Sequence, residues 1–404
     1  MTCEILFLAH RIPYPPDKGD KIRSWRLLEH LASSYRVHLA AFVDAPEDFQ
    51  HQEFLESVCE SVTLAPLDPR WAKVRSLRGF AAGAPLSLAY YDDAKMRRAV
   101  RELRARPLAA EIAFSSTMAQ YLEPAAAGRA RLVDICEKKK KKWKSYAERA
   151  NGVMGAVYAH EARKLAQVES AIVNGVDAVF AVSAPEADIL TAGLVGAKGA
   201  ARKVHWFGNG VDTAYFSADA VKAVEARVDV VFVGAMDYRP NVDAATWFLT
   251  DVWPQIRERN ASAQFAIVGA HPPASLRAFD GRDGVRVTGR VSDVRPWLAA
   301  AKVSVAPMRI ARGVQNKVLE AMAMALPVIA TPAAMEGIDH VRGLDVVVEA
   351  DARAMAQSIV TLLGVERRRR DIGAKARERI VESYQWARQL ARFDAVASAL
   401  IPRV

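Results

Sequence analysis

The sequence has few cysteines and no long apolar run. Its three cysteines, Cys3, Cys59 and Cys136, are widely spaced and form no metal-binding pattern, which favours a reduced, cytoplasmic protein. No stretch approaches the roughly eighteen apolar residues of a membrane-spanning helix. Glu4 and the apolar Ile5–Ala9 follow the first residues directly, a pattern that predicts no signal peptide. We therefore expect a cytoplasmic protein, with the inner face of the membrane as a candidate peripheral contact.

Three motifs of well-known nucleotide enzymes are also missing. A dinucleotide oxidoreductase would carry Gly-x-Gly-x-x-Gly after the first strand, and Asp17–Ile22 lacks it. A phosphate loop ending Gly-Lys-Ser/Thr, typical of kinases and ATPases, is absent as well. The sequence has no Asp-x-Asp pair of the kind that metal-dependent transferases use. We therefore expect neither a resident cofactor nor a metal ion.

Basic residues are in excess throughout the chain. The 404 residues include 56 Lys and Arg against 46 Asp and Glu, a formal net charge of +10. The excess is spread over both halves rather than concentrated in a tail, so it fits an anionic small molecule or a membrane surface, and we expect no nucleic-acid partner. A chain of this length is expected to form two domains of ordinary size.

Short apolar strands alternate with helical segments along the whole sequence. This alternation predicts parallel α/β domains, whose ligands bind at the carboxyl ends of strands. The predicted strands are Glu4–His10, Tyr35–Asp44, Ser61–Ala65, Glu111–Ser115, Ala130–Ile135, Asp177–Ser183, Val228–Val233, Gln264–Gly269, Val285–Thr288, Lys302–Ala306 and Pro327–Thr331. Three prolines between Arg11 and Asp20 exclude regular structure there, and Asp20 is predicted to cap the following helix.

The segment Ala311–Thr331 carries the strongest functional pattern. It is predicted to run from a loop into a helix that begins near Gly313, and then into a buried strand. A helix N-terminus suits a phosphate, and Lys317 adds a cation beside it. Glu320 lies further along the same helix, where a carboxylate accepts hydrogen bonds from a diol such as a ribose. The segment therefore predicts a nucleotide site.

These residues resemble the donor-site motif of retaining, two-domain (GT-B) glycosyltransferases of family 4. That motif has two glutamates separated by seven residues, followed by Ala-Met-Ala and, after two positions, Pro-Val. Glu320 matches the second glutamate, which the resemblance implies holds the nucleotide ribose. The first glutamate falls on Arg312, so a cation replaces a carboxylate near the donor sugar.

Other segments extend the resemblance. Asn209-Gly-Val-Asp212 resembles the passage between the two domains of such enzymes. Gly234-Ala-Met-Asp-Tyr-Arg-Pro-Asn241 resembles the variant found in sugar transferases of exosortase and exopolysaccharide systems. Where many relatives have an arginine and a lysine for the donor diphosphate, this chain has Ala235 and Pro240, which leaves Arg239 as a candidate cation.

The resemblance implies a GT-B architecture with two facing Rossmann-like α/β/α domains. Residues 1–205 would form the acceptor domain and residues 206–383 the nucleotide-sugar donor domain. The C-terminal helix, 384–402, would cross back onto the first domain, with Trp386 and Phe393 as anchors. The function expected is transfer of a sugar, with retention, from a nucleotide-sugar to a glycan or lipid-linked acceptor.

The site predicted on these grounds needs no metal ligand. Lys317, Arg312 and Asp134 are the candidate catalytic residues. The candidate donor-binding residues are Gly19, Gly234, Arg239, Arg290, Gly313, Val314, Gln315, Asn316 and Glu320.

Two basic segments and two alternative functions stay open. The lysine block Lys138–Lys142 departs from the acidic sequence of the relatives and leaves Asp134 and Glu137 as nearby carboxylates. In Arg70–Tyr91, basic residues alternate with Trp71, Leu77 and Phe80, which fits either an anionic membrane surface or a solvated helix.

A non-catalytic nucleotide- or glycan-binding scaffold and a nucleotide-sugar epimerase of the same fold remain alternatives to the transferase.

Overall fold

Two parallel β-sheets, each in its own unit, organise the chain. The computed structural model describes residues 3–123, 128–136, 152–194, 200–311 and 313–402. The first unit comprises Met1–Gly208 and Leu390–Val404, and the second comprises Asn209–Gln389. The lysine block, Glu137 and Arg312 lie outside the described residues.

The elements alternate between strand and helix, as the sequence predicts. The strands are β1 Glu4–Ala9, β2 Arg36–Val43, β3 Ser61–Pro66, β4 Leu108–Phe114, β5 Ala130–Ile135, β6 Ala178–Ala181, β7 Val204–Trp206, β8 Val230–Val233, β9 Phe265–Val268, β10 Val285–Val287, β11 Val303–Ala306, β12 Val328–Ala330 and β13 Val347–Val348. The helices are α1 Gly19–Ala32, α2 Gln52–Val58, α3 Pro69–Ala81, α4 Leu86–Tyr90, α5 Ala94–Leu103, α6 Gly152–Gly175, α7 Ala184–Ala192, α8 Arg239–Trp247, α9 Trp253–Arg259, α10 Ala274–Arg277, α11 Arg295–Ala300, α12 Asn316–Ala323, α13 Ala352–Gly364, α14 Glu366–Ser383 and α15 Trp386–Leu400. Among the described residues, none of these helices combines the length and apolarity needed to cross a bilayer.

The sheet of the first unit has seven strands in the order β3-β2-β1-β4-β5-β6-β7. Its pairs are parallel, and β1 is buried along nearly its whole length, as expected for a strand covered by helices on both faces. The strand order reverses direction between β1 and β4, and such a switch point opens a crevice at the carboxyl ends of the strands.

The sheet of the second unit has six strands in the order β10-β9-β8-β11-β12-β13. Its pairs are also parallel, and Val303 and Ser304 of β11 lie opposite Val230 and Val231 of β8. The switch point of this sheet therefore falls between β8 and β11. The two predicted α/β sheets are confirmed.

The last helix contributes to the first unit. Phe393 of α15 lies 4.8 Å from Phe180 of β6 and 5.7 Å from Phe207, measured between ring centroids, and it is 1% exposed. His30 of α1 also contacts Asp394 of α15, with 2.9 Å between His30 Nε2 and Asp394 Oδ1. These contacts complete the aromatic core at the edge of the first sheet.

A buried ion pair links α1 to the end of β5. The guanidinium of Arg23 donates from Nε to Asp134 Oδ2 at 2.8 Å and from Nη2 to Oδ1 at 3.2 Å. It also donates to the carbonyl of Phe207 at 3.0 Å and lies 3.6 Å from the centre of that ring. Both residues of the pair are 1% exposed. Arg23 therefore holds three segments of the first unit together.

Removing one member of this pair is expected to destabilise the first unit. Arg23→Met leaves the Asp134 carboxylate buried and unpaired, which costs about 3–5 kcal/mol of unfolding free energy. The double variant Arg23→Met, Asp134→Leu removes both charges and is expected to recover most of that loss. Urea unfolding followed by circular dichroism measures both effects.

The matched control is Arg26→Met on the same helix. Arg26 pairs with Glu29 at 3.0 Å on the partly exposed side of α1, so its loss is expected to cost less than about 1 kcal/mol. Equal unfolding curves for Arg23→Met and Arg26→Met would contradict the structural role of the buried pair.

Candidate functional site

The candidate site lies at the switch point of the second sheet. β8 ends at Val233 and is followed by Gly234, and β11 ends at Ala306 and leads through a loop into α12. Two segments that leave neighbouring strands therefore emerge at the same edge of the sheet, where α/β sheets bind their ligands. Most of the residues predicted from sequence lie on these two segments.

Lys317 is held across this switch point by Asn241. The Nζ atom of Lys317, in the first turn of α12, donates to Asn241 Oδ1 at 2.5 Å. It also lies 4.8 Å from the centre of the Phe232 ring and 3.8 Å from the Sδ atom of Met308. An ammonium has three protons to donate, and Asn241 takes one of them. The Met308 sulfur is only a weak acceptor, so the ammonium keeps donor capacity for a ligand.

Glycines make room for this arrangement. A Cβ atom on Gly234 would lie 2.7 Å from Asn241 Nδ2 and 3.1 Å from Lys317 Nζ. A Cβ on Gly269, whose φ is +152°, would lie 1.8 Å from the carbonyl oxygen of Gly234. Backbone and side chains are therefore too close for a larger residue at either position, and any ligand that reaches Gly234 meets bare backbone.

Asn241 is a site residue that the sequence analysis missed. It lies in the first turn of α8, is 5% exposed, and donates from Nδ2 to the carbonyl of Ala235 at 2.8 Å. That bond fixes the orientation of the amide, so Oδ1 points to Lys317. The signal in the sequence is the Asn that ends the Gly-x-Met-x-Tyr-x-Pro-Asn segment; a polar residue there is expected to face solvent, and only the fold shows that it is buried.

Helix α12 begins later than predicted. Gly313 has φ +65°, in the left-handed region, and Gln315 is extended, with φ −88° and ψ 103°. Neither residue is helical, so the helix starts at Asn316 instead of Gly313. The predicted phosphate position at the helix start therefore moves toward Asn316 and Lys317.

The residues before α12 are fixed by local contacts. Gln315 donates from Nε2 to the carbonyl of Gly313 at 3.1 Å, so its amide folds back on the loop. Asn316 accepts a hydrogen bond at 2.9 Å from Asn209, a second residue that the sequence analysis did not place in the site. Val314 lies against Gly337, where a Cβ would meet Val314 Cγ2 at 3.5 Å.

Lys317 and Glu320 lie on one face of α12 and are both half-buried. Residues three apart on a helix are neighbours. Burial lowers the pKa of Lys317 to about 8, against the opposing effect of the Glu320 carboxylate. Burial likewise raises the pKa of Glu320 to about 7, against the opposing effect of Lys317. Each group is therefore poised to change charge near neutral pH, and an anion bound beside Lys317 would favour its ammonium form.

Arg239 and Arg290 are at the same edge of the sheet but apart from this cluster. Arg239 is the first residue of α8, and Arg290 follows β10, two strands away from β8. Both side chains are exposed. In the part of the chain that the structure describes, neither side chain makes a direct bond to Lys317 or Glu320. They are available to a ligand larger than the cluster itself.

Gly19 and Asp134, the predicted residues of the first unit, occupy different environments. Gly19 is exposed at the start of α1. Asp134 is buried, and both of its carboxylate oxygens accept from Arg23. This pairing favours a role for Asp134 in holding α1 in place over direct contact with a substrate.

The loop after β1 carries a second charged network. Asp20 does not cap α1; its carboxylate accepts from Arg11 at 2.8 Å and lies 3.4 Å from His10. Arg11 also pairs with Asp44 at 2.9 Å. Although burial opposes ionisation, the bond and charge of His10 and the charge of Arg11 hold the pKa of Asp20 well below its usual range. The predicted cap is wrong because the helix begins at Gly19 with Lys18 at the cap position, which places Asp20 inside the first turn.

Within the described ranges, no group of three His, Cys, Asp or Glu side chains is placed to hold a metal ion. The metal-free mechanism expected from the sequence stays a prediction.

Part of the second unit matches a known protein family. Residues 227–364 match the family model described as glycosyl transferases group 1. This region contains Gly234, Asn241, Lys317 and Glu320, so the cluster lies inside the matched segment. A comparison with curated protein sequences finds no match.

Solved structures define the fold of the whole chain. Sucrose-phosphate synthase from Thermosynechococcus elongatus is 17% identical with a TM-score of 0.71, over 98% of this chain and 99% of that one. Anabaena HepE, solved in complex with UDP and glucose, is 15% identical with a TM-score of 0.64, over 98% and 100%. WaaG, a glycosyltransferase involved in lipopolysaccharide biosynthesis, is 13% identical with a TM-score of 0.64, over 97% and 99%. The fold is therefore the GT-B fold of these proteins.

The Glu320 carboxylate is expected to make stability depend on pH. Glu320 has an ordinary pKa of 4.5, raised to about 7 in the folded protein. The folded state therefore keeps a proton that the unfolded state loses, and stability falls as pH rises from 4.5 to 7. Glu320→Gln removes this effect, so its unfolding free energy relative to wild type should increase between about pH 5 and pH 7.

Urea unfolding at a series of pH values measures this difference. Glu378→Gln is the matched control, on the exposed side of α14 beside Lys375. A difference between Glu320→Gln and wild type that stays constant with pH would contradict the raised pKa of Glu320.

Proposed function

We propose that the protein is a retaining, metal-independent glycosyltransferase that moves a sugar from a nucleotide-sugar to a glycan or lipid-linked acceptor. The observation that carries the proposal is the cluster of Lys317, Asn241, Gly234 and Glu320 at the switch point, inside the segment that matches glycosyl transferases group 1. A half-buried cation beside bare backbone suits a diphosphate, and a carboxylate further along the same helix suits a ribose.

Lys317 stabilises the departing diphosphate. Negative charge builds up on the diphosphate as the glycosidic bond breaks, and a fixed ammonium in a partly dry site lowers the energy of that state. Asn241 holds the ammonium in position before the donor arrives, so little reorganisation is needed. The first N–H groups of α12 add the positive end of the helix dipole.

Glu320 binds the nucleotide through its ribose. Its carboxylate lies one turn along α12 from Lys317, and ionised carboxylates accept strong hydrogen bonds from hydroxyl groups. Diphosphate binding favours the charged, ammonium form of Lys317, and this charge in turn favours the ionised form of Glu320. The two residues thus act on two parts of one ligand.

Further cations are candidates for contact with the donor. Arg239 and Arg290 are exposed at the same edge of the sheet, where an arginine can reach a phosphate with two donors. The loop residues Gly313–Asn316 complete the donor-binding set by resemblance. Arg312 stands where the family motif has a glutamate, and it is a candidate catalytic cation for the departing diphosphate. Gly19, at the start of α1, stays a candidate donor-binding residue by resemblance alone.

The retaining reaction proceeds by front-face attack. Enzymes that retain configuration by double displacement use two carboxylates about 5 Å apart, whereas Glu320 is the one carboxylate among the predicted donor-binding residues. The acceptor hydroxyl instead attacks the anomeric carbon on the face that the diphosphate leaves. The departing phosphate oxygen takes the hydroxyl proton, the carbon–oxygen bond to the diphosphate breaks, and the new glycosidic bond forms.

The biological setting is exopolysaccharide or cell-surface glycan synthesis on the cytoplasmic side of a membrane. The support is the segment Gly234–Asn241, which resembles sugar transferases of exosortase and exopolysaccharide systems. No nucleic-acid partner is expected, since the basic residues are not gathered in a tail.

A nucleotide-sugar panel tests the proposed function. Donors that bind should raise the melting temperature, because a ligand of the folded state stabilises it by an amount set by its affinity. The best donor, radiolabelled in the sugar, should transfer label to a glycan or lipid-linked acceptor with retained configuration, and EDTA should leave turnover unchanged. Release of an epimerised nucleotide-sugar, or binding without transfer or hydrolysis, would contradict the transferase and favour the epimerase or the scaffold.

Two variants separate binding from chemistry. Glu320→Gln is expected to raise KM for the donor about tenfold or more, with kcat nearly unchanged, because it weakens hydrogen bonds from the ribose. Lys317→Met is expected to lower kcat about a hundredfold or more, because it removes the charge that stabilises the leaving group. Steady-state kinetics measures both.

The matched controls are Glu378→Gln and Lys375→Met. Both residues lie exposed on α14 and pair with each other, so the same chemical changes there should leave both constants unchanged. A Glu320→Gln enzyme with wild-type donor affinity would refute the ribose assignment.

A further inference from the structure

Helix α3 exposes an unusual apolar surface. Trp71 is 66% exposed, Leu77 is 67% exposed and Val74 is 40% exposed. The three residues are spaced three apart along the helix and so lie on one side of it. Single exposed apolar residues are normal, but a cluster on one helix marks an interaction surface.

The opposite side of α3 is fixed to the first unit. Ala72 is fully buried, and Ser76 donates to the carbonyl of Leu86 at 3.0 Å. A Cβ on Gly79 would lie 2.4 Å from Ala89 Cβ, so α3 packs closely on α4. Arg75 donates to Tyr90 O at 3.3 Å. The helix is therefore anchored, and its exposed side is not free to rotate inward.

Phe80 does not belong to the exposed surface. Its ring packs edge-on against His160 of α6, with the ring centroids 4.8 Å apart. Of the three apolar residues noted in the sequence, Phe80 therefore faces inward. Val74 is exposed beside Trp71 and Leu77 instead.

Basic side chains interleave with the apolar ones. Arg70, Lys73 and Arg78 are exposed on α3, and its thirteen residues include no Asp or Glu. Lysine and arginine keep their charged ends in water while their alkyl stems cover apolar surface. The exposed side of α3 is thus apolar and cationic at once, the combination by which a helix lies in the interface of an anionic bilayer.

We propose that the exposed side of α3, formed by Arg70, Trp71, Lys73, Val74, Leu77 and Arg78, docks the protein on an anionic lipid bilayer. Trp71 enters the headgroup region, where tryptophan is favoured, and Val74 and Leu77 reach the boundary of the acyl chains. Arg70, Lys73 and Arg78 contact the anionic headgroups.

The charge pattern decides against a protein partner. The core of a protein–protein interface is depleted in charged residues, lysine above all, whereas here the charges lie between the apolar residues. A symmetric pair of copies joined through this surface would bring the same cationic helix of each copy together, and like charges would repel. An anionic bilayer would both attract the basic side chains and bury the apolar ones.

Co-sedimentation of the full chain with lipid vesicles tests the proposal. Wild type should bind vesicles of phosphatidylcholine mixed with phosphatidylglycerol, should bind pure phosphatidylcholine weakly, and should lose binding as salt screens the charges. Lys73→Glu with Arg78→Glu should lower the partition coefficient at least about tenfold, since each basic residue near the surface contributes attraction. Trp71→Ser with Leu77→Ser should lower it by a similar factor through lost apolar burial.

Two control variants match these changes elsewhere on the surface. Ile189→Ser removes an apolar side chain of α7 that is 54% exposed, and Arg368→Glu reverses an exposed charge on α14; both should bind vesicles as wild type does. The proposal is overturned if wild type ignores anionic vesicles, if the α3 variants bind as wild type does, or if sedimentation equilibrium shows that the α3 variants break up an oligomer. The test does not depend on the proposed transferase activity.

Discussion

The hydrogen bond from Lys317 Nζ to Asn241 Oδ1 joins the two chain segments that leave the switch point of the second sheet. The bond places an ammonium in a half-buried position beside the Phe232 ring. Burial there opposes the charge and lowers the pKa of Lys317, so the cation is less stable than it would be in water. A diphosphate in the crevice would offset that cost, and the site is in this sense prepared for an anion.

The helix that carries Lys317 is fixed at both ends. At its start, Asn209 donates to Asn316. At its end, Ala325 has φ +55°, and Arg377 of α14 donates to the carbonyl of Ala323. A Cβ on Gly373 would lie 2.0 Å from the carbonyl oxygen of Ala325, so α14 packs against the turn after the helix. Lys317 and Glu320 therefore stand on a short helix that has little freedom to shift, which favours preorganised binding.

The sequence was sufficient for eleven of the thirteen strands in the described residues, because apolar runs are local signals. It missed the short edge strands β7 and β13. Residues such as Gly234, Lys317 and Glu320 stand out in a short segment. Asn241 could not be identified as a partner of Lys317, since 76 residues separate them and only the strand order brings them together. The start of α12 was misplaced because the backbone angles of Gly313 and Gln315 depend on packing. Asp20 was predicted to cap α1, but the helix begins one residue earlier and the Asp20 carboxylate pairs with Arg11 and His10.

A crystal structure of the full chain with the nucleotide diphosphate that stabilises it most would test the central claim directly. The account predicts that a phosphate oxygen lies within hydrogen-bond distance of Lys317 Nζ, next to Gly234, and that a ribose hydroxyl donates to Glu320. A nucleotide bound elsewhere in the chain, or one bound at the switch point without contact to either side chain, would contradict it.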